Sequence, residues 1–309
     1  MVNVTKALQT LWKHPGFFFM RSVARFDYVR DATARAQCAM RGSLDDCLQE
    51  LKARTSEFFP GTDARALSAA VERDGLAVGL KLPASAVAEL LEVARTNPCW
   101  IERNRKLGFL PERIEEARRR LGRPFLIAQY MNILRRSKLV ARLAEDPVLL
   151  EVAARYLGAR PVLVGVNMWW SYPEPADADA RDFAAQMFHY DLDDFKFIKF
   201  FFYLTDVDAT AGPHVVVRGT HRHKRRGSFR EQFAVRRYTD EEVRAAYGEE
   251  KIITIEGPAG TGFIEDTICI HKGTAPVAKS RLVLQVQYAL NDFGNQNDDA
   301  DESSLEMLV

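Results

Sequence analysis

The chain has 309 residues, 47% hydrophobic and 28% charged, enough for one large domain or two small ones with a real core. A formal net charge of +1 and a pI near 7.7 give no bulk attraction to nucleic acid. Four cysteines without CxxC spacing exclude a dense disulfide framework. No secretory leader pattern opens the sequence, and no apolar run approaches the roughly 18 residues of a spanning helix. The expectation is a reduced, cytoplasmic protein with no membrane span and no nucleic-acid partner.

Residues 1–58 read as helix with breaks. Pro15-Gly16 punctuates the first piece, and Ser43 is a plausible N-cap for a helix carrying Leu44, Cys47, Leu48 and Leu51. A helix over 64–73 leads into a short strand at 74–78, and Leu82-Pro83 opens another helix to Arg95. Residues 96–125 are polar and Arg-rich with a helix over 111–121. Residues 126–158 read as helical again, with Asp146-Pro147 opening a last helix that ends near Gly158.

The pattern changes at Pro161. Short β-rich runs follow at 161–170, 186–191, 196–207, 213–221, 251–257, 261–271 and 281–290, separated by turn residues and without helical crossovers. This predicts a mainly β chain with added α: a two-sheet jelly roll flanked by N-terminal helices. The expected organisation is a helical extension over 1–65, a β-roll domain over 66–290 and an acidic, frayed tail over 291–309. A charged, helical insert is expected over 228–250. In the strand 196–207, Ile198, Phe200, Phe202 and Leu204 share an apolar face for packing under helices. Phe197, Lys199, Phe201 and Tyr203 face the other way, into the roll. An enclosed Lys199 needs an anionic partner, which a bound organic acid would supply; the alternative is that its ammonium snorkels to solvent.

The stretch QMFHYDLDD carries the chemistry. His189 and Asp191, two apart on an extended segment, project an imidazole and a carboxylate to one side. His271, in TICIHKGTAP, is the best third ligand. Two histidines and one carboxylate are the facial ligand set of non-haem Fe(II) oxygenases. Arg281 follows ten residues later and opens the final strand. A turn over 273–280 would bring its guanidinium to a carboxylate bound beside the metal, which its planar fork pairs with bidentately.

These residues, with AGPHVVVRGTHRH and DTICIHKGTAP, resemble the phytanoyl-CoA dioxygenase family over about residues 70–290. RDGLAVGLKLPASAVAELLEVA resembles that family's opening strand and helix. Arg218 stands where the family usually has Pro, and Gly273 where it often has a hydroxyl residue. The resemblance implies a double-stranded β-helix core and Fe(II) held by His189, Asp191 and His271. It also implies 2-oxoglutarate as co-substrate, its distal carboxylate on Arg281, with Phe201 beside it. The implied reaction hydroxylates a C–H bond of a small organic substrate, with succinate and CO2 as co-products. Asp191 stands where related halogenases have a small residue, which favours hydroxylation.

Tyr203, Asn167 and Lys199 are further candidates for the cofactor pocket, as are Trp169, Ser171 and Gln285 from their strand faces. His221 is expected in loop hydrogen bonding, with lining of the cavity as the alternative, and His214 and His223 at the surface. The basic run 221–230 reads as solvated loop, or as a lip that attracts an anionic substrate. The competing readings are a non-catalytic metal- or ligand-binding roll and a cupin-like enzyme without 2-oxoglutarate.

Overall fold

The computed structural model describes residues 11–224, 237–294 and 298–309. Two sheets face each other. The large one has nine strands in the order β1-β9-β6-β11-β5-β4-β2-β3-β12. These are β1 (Leu76–Lys81), β2 (Cys99–Ile101), β3 (Leu107–Phe109), β4 (Ile127–Tyr130), β5 (Val162–Ser171), β6 (Phe197–Tyr203), β9 (Thr261–Glu265), β11 (Arg281–Ala289) and β12 (Glu306–Met307). The small sheet is β10-β7-β8, built from β7 (His214–Val217), β8 (Ile252–Ile255) and β10 (His271–Gly273). A single residue, His189, bridges to His271 and extends the edge of the small sheet. The architecture is a double-stranded β-helix with added helices.

Alternation along β6 and β11 sets the two environments. Ile198, Phe200, Phe202 and Leu204 join Leu282, Leu284, Val286 and Tyr288 in the main core outside the roll. The helices Ala64–Asp74 and Pro147–Leu157 supply Val71, Leu149, Val152 and Ala153 to that core. Phe59 stacks on Phe202 at 5.8 Å. Each such large apolar side chain contributes roughly 1.5–3 kcal/mol on burial. The opposite faces of the same strands point into the roll. Lys199, Phe201 and Tyr203 pair across with Gln287, Gln285 and Val283, and Gln285, Val283 and Arg281 with Asn167, Trp169 and Ser171.

The helices Pro15–Val23, Asp27–Met40 and Leu44–Lys52 lie where helix was expected. Ser43 accepts from the Asp46 amide at 3.2 Å as the N-cap. Ala34, Phe58 and Phe59 belong to the main core, so this N-terminal segment packs on the roll. Helix Pro147–Leu157 starts under an Asp146 cap and ends at Gly158, whose φ of 82° is left-handed.

Several expectations change. Residues 127–130 form β4 rather than helix, pairing with β5 and β2; four residues are too few to display a period. The Arg-rich 96–125 stretch holds its helix at Ile114–Leu121 but also β2 and β3. The expected 186–191 strand is reduced to bridges at Phe188 and His189. The 261–271 run breaks in two, because Asp266 turns the chain by accepting from the Ile268 amide at 2.9 Å. The expected helical insert appears as Asp240–Tyr247 behind a Thr239/Glu242 capping box; its 228–236 portion lies outside the described residues. The described tail is docked, not frayed. Asn132 binds Ala300 through its amide N–H at 2.8 Å and its side-chain oxygen at 3.1 Å. The Val166 amide donates to Asp298 at 2.9 Å, and β12 runs parallel to β3. Its acidic composition hid these contacts because they run through Asn132 and backbone amides.

Candidate metal centre

His189 and His271 are locked to each other by the backbone. His189 N–H donates to the His271 carbonyl at 2.9 Å, and His271 N–H returns a bond at 2.8 Å. The ring centroids lie 4.4 Å apart. Each Nδ1 sits beside a carbonyl, Met187 at 2.8 Å and Cys269 at 2.9 Å. A carbonyl only accepts, so Nδ1 carries the proton and each Nε2 keeps its lone pair. Asp191 is anchored by its amide, which donates to Thr267 O at 2.8 Å. Its oxygens stand 3.9 Å from His189 Nε2 and 3.7 Å from His271 Nε2. One ligand atom from each of the three lies within 4.8 Å of the others.

The protonation states suit ligation. Burial pushes His189 and His271 down to about 4, so both imidazoles are neutral at pH 7. Burial alone would raise the Asp191 carboxyl, but the Lys199 ammonium and the two imidazoles outweigh it. They hold the carboxyl well below the usual carboxylate range. A neutral, neutral and anionic donor set is what a divalent ion requires.

Lys199 points into the roll, and its anionic partners are Asp191 at 2.7 Å and Asp193 at 2.9 Å. These carboxylates belong to the chain itself, which answers the charge without a bound organic acid. Gln287 donates to Asp193 at 3.2 Å and ties that carboxylate to β11.

Arg281 lies at the other side of the pocket. It is buried, its Nη2 reaches Ser171 Oγ only at 3.5 Å, and its Nε and Nη1 have no hydrogen-bond partner among the described residues. A buried guanidinium with idle donors is costly unless an anion fills them. Gly273 makes the space: a Cβ there would stand 2.9 Å from Arg281 Nη2. Arginine Nε and Nη atoms are the fork a carboxylate takes, so the residues fit a dicarboxylate co-substrate beside a metal.

A cavity of about 480 Å³ joins these groups and is also lined by Asn167, Trp169, Phe201, Tyr203 and Gln285. Phe201 stacks on Phe263 at 4.9 Å. Asn167 accepts from Gln129 at 2.7 Å. The Tyr203 hydroxyl donates to Ile255 O and accepts from His214 N, each at 2.9 Å. Its phenol is therefore committed to the small sheet, and its ring forms the wall.

His214, expected at the surface, is buried in the cavity wall. It hydrogen-bonds Glu265 at 2.6 Å and stacks on His271 at 5.5 Å between centroids. β7 turns it inward, opposite Gly273. Glu265 is a second residue that the sequence reading does not single out. It is wholly buried, 3.6 Å from His271 Nδ1, and burial raises its pKa to about 8. The signal was present: Phe263 and Glu265 share the inward face of β9. His221 contacts Glu72 O at 3.3 Å, away from this cavity, and His223 is exposed, both as expected. Of the basic run, Arg222 pairs with Glu72 and Lys224 sits 3.7 Å over the Tyr190 ring; 225–230 lie outside the described residues. Arg21, Arg103 and Arg237 also line the cavity, and nothing in the sequence brings their three separate segments together. No helix among the described residues is long and apolar enough to cross a membrane.

Several solved structures match at low identity and with TM-scores below 0.5. The epimerase SnoN, in complex with Fe3+, alpha ketoglutarate and a nogalamycin compound, is 19% identical with a TM-score of 0.49, over 73% of this chain and 82% of that one. AviO1 from Streptomyces viridochromogenes is 16% identical with a TM-score of 0.48, over 74% and 95%. EctD from S. alaskensis, with bound Fe, is 19% identical with a TM-score of 0.48, over 77% and 80%. No curated protein matches the sequence. The phytanoyl-CoA dioxygenase profile matches residues 110–297, more than half of the chain. The chain belongs to the phytanoyl-CoA dioxygenase family.

Proposed function

We propose that this enzyme is an Fe(II)- and 2-oxoglutarate-dependent dioxygenase that hydroxylates a C–H bond of a small organic molecule. His189, Asp191 and His271 would hold the iron, and Arg281 the distal carboxylate of 2-oxoglutarate. The bound pair supplies the oxidant, with O2 consumed and 2-oxoglutarate converted to succinate and CO2. Residues 66–290 form the catalytic unit in this reading, with 1–65 as its helical extension.

The protein's own residues orient and shield. The Nδ1 bonds to Met187 O and Cys269 O fix both imidazoles with Nε2 forward. Lys199 holds one oxygen of Asp191 and leaves the other for the ion. Phe201 and Phe263 stack on each other and form an apolar part of the pocket wall. Asp191 fills the third ligand position, so a halide has no place there, which supports hydroxylation.

The observation that carries this reading is the convergence of three ligand atoms in one cavity with a buried Arg281 whose Nε and Nη1 have no hydrogen-bond partner among the described residues. A metal-binding roll without a co-substrate has no use for that guanidinium. The test is succinate formation from 2-oxoglutarate under air with Fe(II), uncoupled turnover included. Succinate from the native enzyme and far less from Arg281→Ala at the same sub-saturating co-substrate concentration is expected. Equal rates would overturn the assignment of Arg281.

A further inference from the structure

The cavity carries more positive charge than the iron and co-substrate use. Five cationic side chains, Arg21, Arg103, Lys199, Arg237 and Arg281, line it against three carboxylates, Asp182, Asp191 and Asp193. The wall histidines do not add to this, because burial keeps His189, His214 and His271 neutral at pH 7. Lys199 is matched by Asp191 and Asp193. Arg237 is matched by Asp182. On the oxygenase reading, Fe(II) and the 2-oxoglutarate dianion cancel, with Arg281 on the latter. Arg21 and Arg103 remain, and neither has a carboxylate within ion-pair distance among the described residues.

Arg103 is placed with some care. It and Glu102 sit at φ of 59° and 51°, in the left-handed region that non-glycine residues seldom adopt. The turn sends the two side chains apart. Glu102 pairs with Arg123 at 2.6 Å, on the far side. Arg103 turns to the cavity, 6.0 Å over the Phe183 ring, within the field of Asp191. The nearest acid in sequence is thus spent elsewhere. Arg21 comes from the last turn of helix Pro15–Val23, held 5.8 Å over the Phe17 ring. Two guanidiniums from separate segments therefore face one cavity with no carboxylate paired to them among the described residues.

We infer that the substrate carries an anionic group, a carboxylate or a phosphate, which Arg103 and Arg21 receive at the cavity wall. This rests on the oxygenase reading for the charge balance. The planar guanidinium accepts either oxyanion through paired N–H donors. The anion would hold one end of the substrate while the cavity places its reacting carbon toward the metal ligands.

The test uses the anaerobic holoenzyme, loaded with Fe(II) and saturating 2-oxoglutarate so that Arg281 is occupied. Benzoate, phenyl phosphate and benzyl alcohol are titrated calorimetrically as probes. Visible absorption of the iron–2-oxoglutarate complex is recorded in parallel. One or both anions should bind on the order of tenfold more tightly than the alcohol. The tighter of the two names the oxyanion. Arg103→Gln and the Arg21→Gln, Arg103→Gln double variant should abolish the preference while the absorption band persists. Equal binding of anion and alcohol with the band intact would overturn the inference alone. A preference that survives the double variant would also overturn it. Absence of the band, with the anion preference intact and lost in the variants, would leave the anion site standing and remove the oxygenase reading.

Discussion

Lys199 Nζ lies 2.7 Å from Asp191 Oδ2, reaching from β6 to the carboxylate that would bind the metal. The ammonium has a second carboxylate, Asp193, at 2.9 Å, so little of its charge is left to repel a cation. Its orienting effect on Asp191 therefore outweighs its repulsion. Lys199→Met should weaken Fe(II) binding by about tenfold, as loss of a partner behind a ligand commonly does. Equilibrium dialysis against a competing chelator measures this. Unchanged or tighter binding would show that repulsion wins.

Gly273 leaves Arg281 its space, since an added Cβ would meet Nη2 at 2.9 Å. Gly273→Ala should displace the guanidinium and raise the 2-oxoglutarate KM several-fold, with iron affinity kept. Arg281→Ala should do so more strongly, because the charged pair itself is lost. Co-substrate titrations monitored by succinate release separate the two. A Gly273→Ala enzyme with native KM would show that Arg281 moves freely.

Glu265 gives a pH signature in the metal-free chain. Burial raises its folded pKa from 4.5 to about 8. The folded state then keeps a proton that the unfolded state releases. The stability this group contributes is full below pH 4.5 and is lost as pH rises through about 8. Native stability minus that of Glu265→Gln should therefore fall steadily across that window in urea titrations. A flat difference would contradict a protonated Glu265.

The docked tail is open to a simple check. Asn132 exchanges two hydrogen bonds with Ala300 and a third with Glu302 at 2.8 Å. Asn132→Ala strands buried backbone groups and should cost about 1–3 kcal/mol. Its left-handed φ of 59° adds a conformational penalty for alanine. A urea midpoint equal to that of the native chain would count against the docking.

What was legible in the sequence had length or chemistry on its side. β6 is seven residues long and shows both its faces. β11 is nine residues long and carries Arg281 at its start. His189 and Asp191 are adjacent on one segment, so their pairing needed no tertiary knowledge. β2 and β3, at three residues each, could not display a period. His214 follows the Gly212-Pro213 turn, and only its pairing with β8 and β10 turns it inward. Arg103 reaches the cavity through two left-handed residues, which composition does not announce. The sequence points to a bound acid as the partner of Lys199 because Asp193 lies six residues upstream, in a loop rather than on a strand face.

The most direct measurement is Fe(II) content and succinate yield in the native enzyme beside Asp191→Ala and His271→Ala. One iron per chain and 2-oxoglutarate-dependent succinate from the native enzyme, with both lost in each variant, is the predicted result. Native-level iron and succinate in either variant would contradict a metal held by His189, Asp191 and His271.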